Sequence, residues 1–333
     1  MKKIFSLVLA LAISISTFAQ CTEELAAKLP FSNVQTNSYK YIGTNGKENK
    51  ANTEVMYNKM MKIHDLFDSA FKNTTGMVGK WRAQVDNKNN EGFVKGIIEI
   101  SMQTVECKGN GEFNKSTGNP TLEFEVFING FEPWIIRDEK KALGFTATNK
   151  KDSINGHLIY LIAEKQKEES FNGFPMYYSG WNKRPNQSSV IITKAGAPLF
   201  QPITIGAFIG LLRNWNAHYN PEKHGSNFEV TPSKIDKFVQ SNPKQFFEKP
   251  CITLWDRENQ IVYIRKDTYV DNPSQGNPWV IMNPDYSNKN AAETSIQFIT
   301  IEWHVQDDTV SQKALNDFKK NFDFKKLQAM LDK

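Results

Sequence analysis

The chain has 333 residues, 39% of them hydrophobic and 12% aromatic, which is enough to build a core and too apolar for a disordered chain. Its formal charge is +5, spread along the sequence, and Lys2 and Lys3 account for two of those charges. Without a concentrated basic face there is no reason to invoke a nucleic-acid partner.

The N-terminus reads Met1-Lys2-Lys3, an apolar run from Ile4 to about Ile15, then Ser16-Thr17-Phe18-Ala19. A cationic start, an apolar core shorter than the ~20 residues of a permanent span, and small residues at Thr17 and Ala19 make a cleavable secretory signal. Cleavage is expected after Ala19, so residues 1–19 are the signal and the mature protein is periplasmic or secreted. Cys21, beside the cut, raises the alternative of a lipoprotein anchored there, although Gln20 is larger than the residue that normally precedes a lipid-bearing cysteine. No later stretch approaches spanning length, so no transmembrane segment is expected in the mature chain. Cys21, Cys107 and Cys251 allow one disulfide in an oxidising compartment, with one thiol left over. Cys107 with Cys251 is the first pairing to expect, since both adjoin predicted strands; three unpaired thiols is the other reading.

Residues 40–53 read as a loop, followed by a helix capped at Asn52 or Thr53 and running to about Phe71. Its Met56, Met60, Ile63, Phe67 and Phe71 recur at helical spacing. Strands follow. In Phe93–Val105 the apolar Val94, Ile98, Ile100 and Met102 alternate with Lys95, Glu99 and Gln103; in Thr121–Ile128, Leu122, Phe124 and Val126 alternate with Glu123 and Glu125. Further strands are expected at Gly144–Thr148, His157–Ala163, Met176–Trp181 and Val190–Lys194. Thr204 caps a central helix to about Tyr219, with Phe208, Leu211, Leu212, Trp215 and Tyr219 as its stripe. Short helices at Ser233–Val239 and Pro243–Phe247 precede strands at Cys251–Trp255, Gln260–Arg265, Trp279–Met282 and Ser295–Val305. A helix from about Ser311 to Leu331 closes the chain.

Strands that succeed one another without intervening helices predict an α+β fold. The expected form is a largely antiparallel, twisted sheet, or sheets, with an N-terminal helix, a central helix and C-terminal helices packed on it. Residues 20–333 read as a single domain; two lobes, 20–196 and 197–333, are the alternative.

Pro198-Leu-Phe-Gln-Pro-Ile-Thr204, Ile296-Gln-Phe-Ile-Thr-Ile-Glu-Trp303, Lys320-Asn-Phe-Asp-Phe324 and Leu327–Leu331 resemble segments of uncharacterised exported proteins typical of Bacteroidota. The likeness covers about a fifth of the chain. It implies an exported location and carries no activity.

Four constellations could carry chemistry. His218, Glu222 and His224 bring imidazole and carboxylate together as a divalent metal would require, but they straddle a helix end and a proline loop. A histidine in a last helical turn also serves the helix's own carbonyls. Glu302 and His304 share a strand face with Thr300 and Phe298, so the carboxylate could orient the imidazole for acid–base work. Against that stands an ordinary polar strand face. Glu123 and Glu125, ~6–7 Å apart by strand rise, could act as a glycosidase pair or simply be solvated. Tyr177, Tyr178 and Trp181 before Asn182-Lys-Arg184, with Trp279 after Pro278, offer rings and polar groups suited to a sugar or peptide; core packing is the competing role.

Nucleophile and phosphate-loop motifs are absent: Ser179-Gly180 lacks a GxSxG frame, and Gly206 and Gly210 lie within a helix, where close packing on the sheet is expected. No cofactor is called for. The expectation is a non-enzymatic binding or envelope-associated module whose partner is a small ligand, a glycan or an envelope protein. The alternative is a hydrolase acting on an extracellular glycan or peptide.

Overall fold

The computed structural model describes residues 21–35, 50–89, 91–108, 111–114, 120–131, 136–138, 159–162, 165–178, 186–196, 198–218, 232–256, 261–263 and 277–332. The expected signal segment, the expected strand at 144–148, and Trp181, Arg184, Glu222 and His224 lie outside these residues.

The fold is α+β and largely antiparallel. A first sheet has eight strands: β1 (Ser32–Gln35), β2 (Met77–Lys88), β3 (Val94–Thr104), β6 (Leu122–Ile128), β16 (Ile299–Val305), β11 (Gln187–Ile192), β10 (Phe174–Tyr178) and β9 (Lys165–Phe171), in that spatial order. Only β1 with β2 is parallel among its pairs. β16 comes from the C-terminal end of the chain yet lies between β6 and β11, so a cut at residue 196 would remove a central strand. A short hairpin, β4 (Glu106–Cys107) with β5 (Phe113–Asn114), follows β3.

A second sheet runs β14 (Ile261–Tyr263), β13 (Ile252–Asp256), β15 (Asn277–Met282), β8 (Ile159–Ile162) and β7 (Ile136–Asp138), with β12 (Phe200–Pro202) also paired to β15. The helices are α1 (Glu23–Lys28), α2 (Lys50–Phe71), α3 (Ile205–His218), α4 (Pro232–Gln240), α5 (Thr309–Asn321) and α6 (Phe324–Ala329), with a 3₁₀ turn at Lys244–Glu248.

Period-two alternation gives the central strands of the first sheet two chemistries. One face presents Trp81, Ala83 and Val85 from β2, Val94, Ile98, Ile100 and Met102 from β3, and Leu122, Phe124, Val126 and Ile128 from β6. Ile299, Ile301, Trp303 and Val305 of β16 continue it. α2 lays Met56, Met60, Ile63, Phe67 and Phe71 on this face, and α5 adds Leu315 and Phe318. Phe67, Phe124 and Phe318 meet at centroid distances of 4.5–5.5 Å, the aromatic centre of the core. At Gly96 the helix comes so close that a Cβ would meet Met60 Sδ at 2.8 Å.

The expected C-terminal helix is two helices. Asp323 accepts from Lys326 N–H at 2.9 Å and starts α6, after Phe322 has turned extended and ended α5. At the end of β6, Asn129 sits at φ 53° and is buried. Its amide donates to the carbonyls of Val94 and Ser295 and accepts from Gln297 N–H, locking β6 and β3 to the segment entering β16.

The opposite face of the first sheet is apolar at both ends: at one, Val78 of β2 packs with Ala26 of α1 and Val105, and the other meets the second sheet. There Tyr177, Ile191 and Phe298 pack with Leu199, Val280, Met282 and Tyr286 from the second sheet and its flanks. The second sheet's other face, carrying Trp279, is covered by Phe208, Leu211 and Leu212 of α3 and by Phe246. Thr204 caps α3 as its sequence predicts, accepting from Ala207 N–H at 3.1 Å. A Cβ at Gly206 would lie 3.2 Å from the Phe247 carbonyl, so this glycine packs on the 3₁₀ turn rather than on the sheet; a Cβ at Gly210 would meet nothing.

Candidate functional site

The middle of that opposite face is polar, and strand register arranges it in rows. Arg82 pairs with Glu99, Glu99 with Glu125, Glu125 with Glu302, Glu302 with Ser189, and Ser189 with Tyr177. One lateral row thus crosses six strands and holds three carboxylates on adjacent strands. Beside it runs a second row, Lys80, Ser101, Glu123, His304 and Gln187. The two pairs singled out in the sequence, Glu123/Glu125 and Glu302/His304, face each other directly.

The main row passes from solvent into the interior. The Arg82 side chain is 53% exposed and that of Glu99 27%, and the two form an ion pair through Arg82 Nε and Glu99 Oε2. Glu125 is exposed. Glu302 is 7% exposed and Ser189 is fully buried, its Oγ without a hydrogen-bond partner. Partial burial, reinforced by the charges of Glu302, Glu99 and Glu123 and opposed by Arg82, pushes the Glu125 carboxyl up to about 7. Burial alone pushes the Tyr177 phenol up to about 12, so it stays protonated at the end of the row. In the second row, His304 Nδ1 lies 4.0 Å from Glu123 Oε2 across the strand pair.

Chemically, the face offers a carboxyl that holds its proton near neutral pH, a buried neighbouring glutamate, a guanidinium, an imidazole and hydroxyls. Among the described residues, no group of three or more His, Cys, Asp and Glu side chains is arranged to hold a metal ion.

The other sequence candidates lie elsewhere. Trp279 is fully buried and packs at 4.7 Å against Phe208, so it belongs to the core between the second sheet and α3, not to a ligand-binding cluster. Tyr178 lies on β10, in the other sheet, half-buried. His218 is the last residue of α3. The disulfide joins Cys107 to Cys21, not to Cys251, with Cα atoms 5.5 Å apart; Cys251 is fully buried under α3, outside the bridge. Its burial raises the thiol pKa well above the ordinary range.

Arg82, Glu99, Ser189 and Tyr177 as members of one site were not evident in the sequence. The alternation of β3 put Glu99 on the polar face, but its alignment with Glu125 depends on the β3–β6 register. No family model, curated protein or solved structure matches the chain. Among the described residues, no helix is long and apolar enough to cross a membrane.

Proposed function

We propose that the chain is an exported, non-catalytic binding protein that holds a polar ligand on the carboxylate-bearing face of its first sheet. A hydroxyl-rich glycan, or a peptide carrying amines, suits a surface made of carboxylates, one guanidinium, an imidazole and the Ser101 hydroxyl. The carrying observation is the in-register row Glu99–Glu125–Glu302. Like charges directly opposite each other on neighbouring strands destabilise a sheet. Here that cost falls in the centre of the fold, where local inconsistency is the mark of a site. The cationic start, apolar run and small residues of the N-terminus, together with the Cys21–Cys107 bridge, support export.

The test is binding of the purified chain to an array of glycans and cationic peptides. Glu125→Gln and Glu302→Gln should each weaken the best binder at least ~10-fold, the effect of losing one charge-assisted contact. Glu24→Gln, on exposed α1, should leave it unchanged. Equal affinity in all three variants would discard the reading.

One observation favours hydrolysis as a second reading: Glu125, its carboxyl pushed up to about 7, stands directly across from Glu302. Opposed residues on neighbouring strands have Cβ atoms ~4.5–5.5 Å apart, close enough for their two carboxyl groups to reach one glycosidic bond as acid and nucleophile. Release of reducing ends from a bound glycan, lost in both Gln variants, would support it; binding without turnover would leave the binding reading alone.

A further inference from the structure

We infer that Cys21 is committed to the disulfide with Cys107 and so does not anchor the protein to a membrane through lipid. A lipoprotein cysteine carries its diacylglyceryl group as a thioether on the same sulfur that the bridge uses, so the two fates exclude each other. Chain placement makes the bridge a built feature. Cys21 N–H donates to the Gly111 carbonyl at 3.0 Å, in the turn of the β4–β5 hairpin that carries Cys107. Thr22 caps α1 by accepting from Leu25 N–H at 3.2 Å, and Ala26 of α1 is buried with Val78 and Val105, against which Cys21, Cys107 and Phe113 also pack. Gly76 N–H then donates to the Leu29 carbonyl at 2.7 Å, and Phe31 N–H to that of Thr74 at 3.0 Å. The segment is therefore hydrogen-bonded along its length to the body, and it delivers Cys21 to Cys107 across 86 residues of sequence. At Gly76, φ 76° and a Cβ that would lie 3.0 Å from Ala27 Cα leave room for glycine alone.

Bridge formation takes two thiols to one disulfide, releasing two protons and passing two electrons to the disulfide of a thiol oxidoreductase in the export compartment. The residues before Cys21 would then leave by signal cleavage, and the new terminus would be held by a covalent bond to the protein's own hairpin. This rests on the export reading.

The experiment expresses the full chain with its own N-terminus in a Gram-negative host fed an alkyne fatty acid, then fractionates the cells. Mass spectrometry without reduction should find a peptide pair linking Cys21 to Cys107, with no fatty-acid label. Cys21→Ser, Cys107→Ser and the double variant should lower Tm equally, by about 5–10 °C, because each removes the same bond. A diacylglyceryl group on Cys21 with an alkylatable Cys107 would overturn the inference, as would membrane retention that Cys21→Ser abolishes and Cys107→Ser does not. A cytosolic chain with Lys2 and Lys3 still attached would overturn the export reading as well.

Discussion

Glu125→Gln isolates the electrostatic load on the carboxylate row. Burial and the flanking charges move the Glu125 carboxyl from its ordinary 4.5 to about 7. At about 1.36 kcal/mol per pH unit, such a move would carry about 3.4 kcal/mol in a fully enclosed group. Glu125 is exposed, and solvent screening brings this down to about 1 kcal/mol. The folded chain holds this proton more tightly than the unfolded chain does. The contribution of Glu125 to stability is therefore complete below about pH 4.5 and lost as pH rises through about 7. Glutamine keeps the shape and does not titrate. The variant should match the parent at pH 4 and exceed it by about 1 kcal/mol at pH 8, with an unchanged denaturant slope. Urea unfolding followed by tryptophan fluorescence at pH 4, 6 and 8 reads this directly. A gain of equal size at pH 4 and pH 8, or a loss at pH 8, would refute the electrostatic account of the row.

Other perturbations probe the layers that hold the row in place. His64 on α2 is 3% exposed and stacks 3.9 Å from Trp81, and burial lowers its pKa below 6.5 despite the pull of Asp68 and Asp65. Its folded pKa being depressed, stability should fall as pH drops below about 6.5, and His64→Phe should flatten that limb in urea midpoints measured at pH 5 and 7.5. Phe318→Ala empties the aromatic centre and should cost about 3–5 kcal/mol in the same assay. Gly96→Ala forces its methyl onto Met60 Sδ and should cost about 1–3 kcal/mol, and it should cost less when introduced into a Met60→Ala background if close approach is the cause.

What the sequence made legible was local. α2, β3, β6, β16 and α3 emerged because their apolar residues repeat at helical or strand spacing and each element buries one face. β2 carries an equally clear alternation, Trp81, Ala83 and Val85 against Arg82, Gln84 and Asp86, and is a strand not among those expected above. β9 has no such signal: Lys165-Gln-Lys-Glu-Glu169 lacks alternating apolar residues, as suits a charged strand at the sheet edge. The break between α5 and α6 was hidden because Phe318, Phe322, Leu327 and Met330 sustain an apolar pattern across it, while Asp323 supplies a cap in the middle.

The site was half legible for the same reason. Alternation assigned Glu123, Glu125, Glu302 and His304 to polar faces, but which polar faces coincide is decided by pairing between strands 170 or more residues apart, as for Glu125 and Glu302. Register is fixed by the buried side. Slipping β6 by one residue would turn Leu122, Phe124 and Val126 out of the aromatic core, at a cost no gain on the polar face could offset. The core therefore forces the three glutamates into one row whether or not they repel, and the strong packing around Phe124 and Phe318 is what lets the sheet tolerate it. A carboxylate row of this kind would be selected against on a marginal sheet. On this one it can persist, with its proton held on Glu125, as long as the helices stay packed behind it.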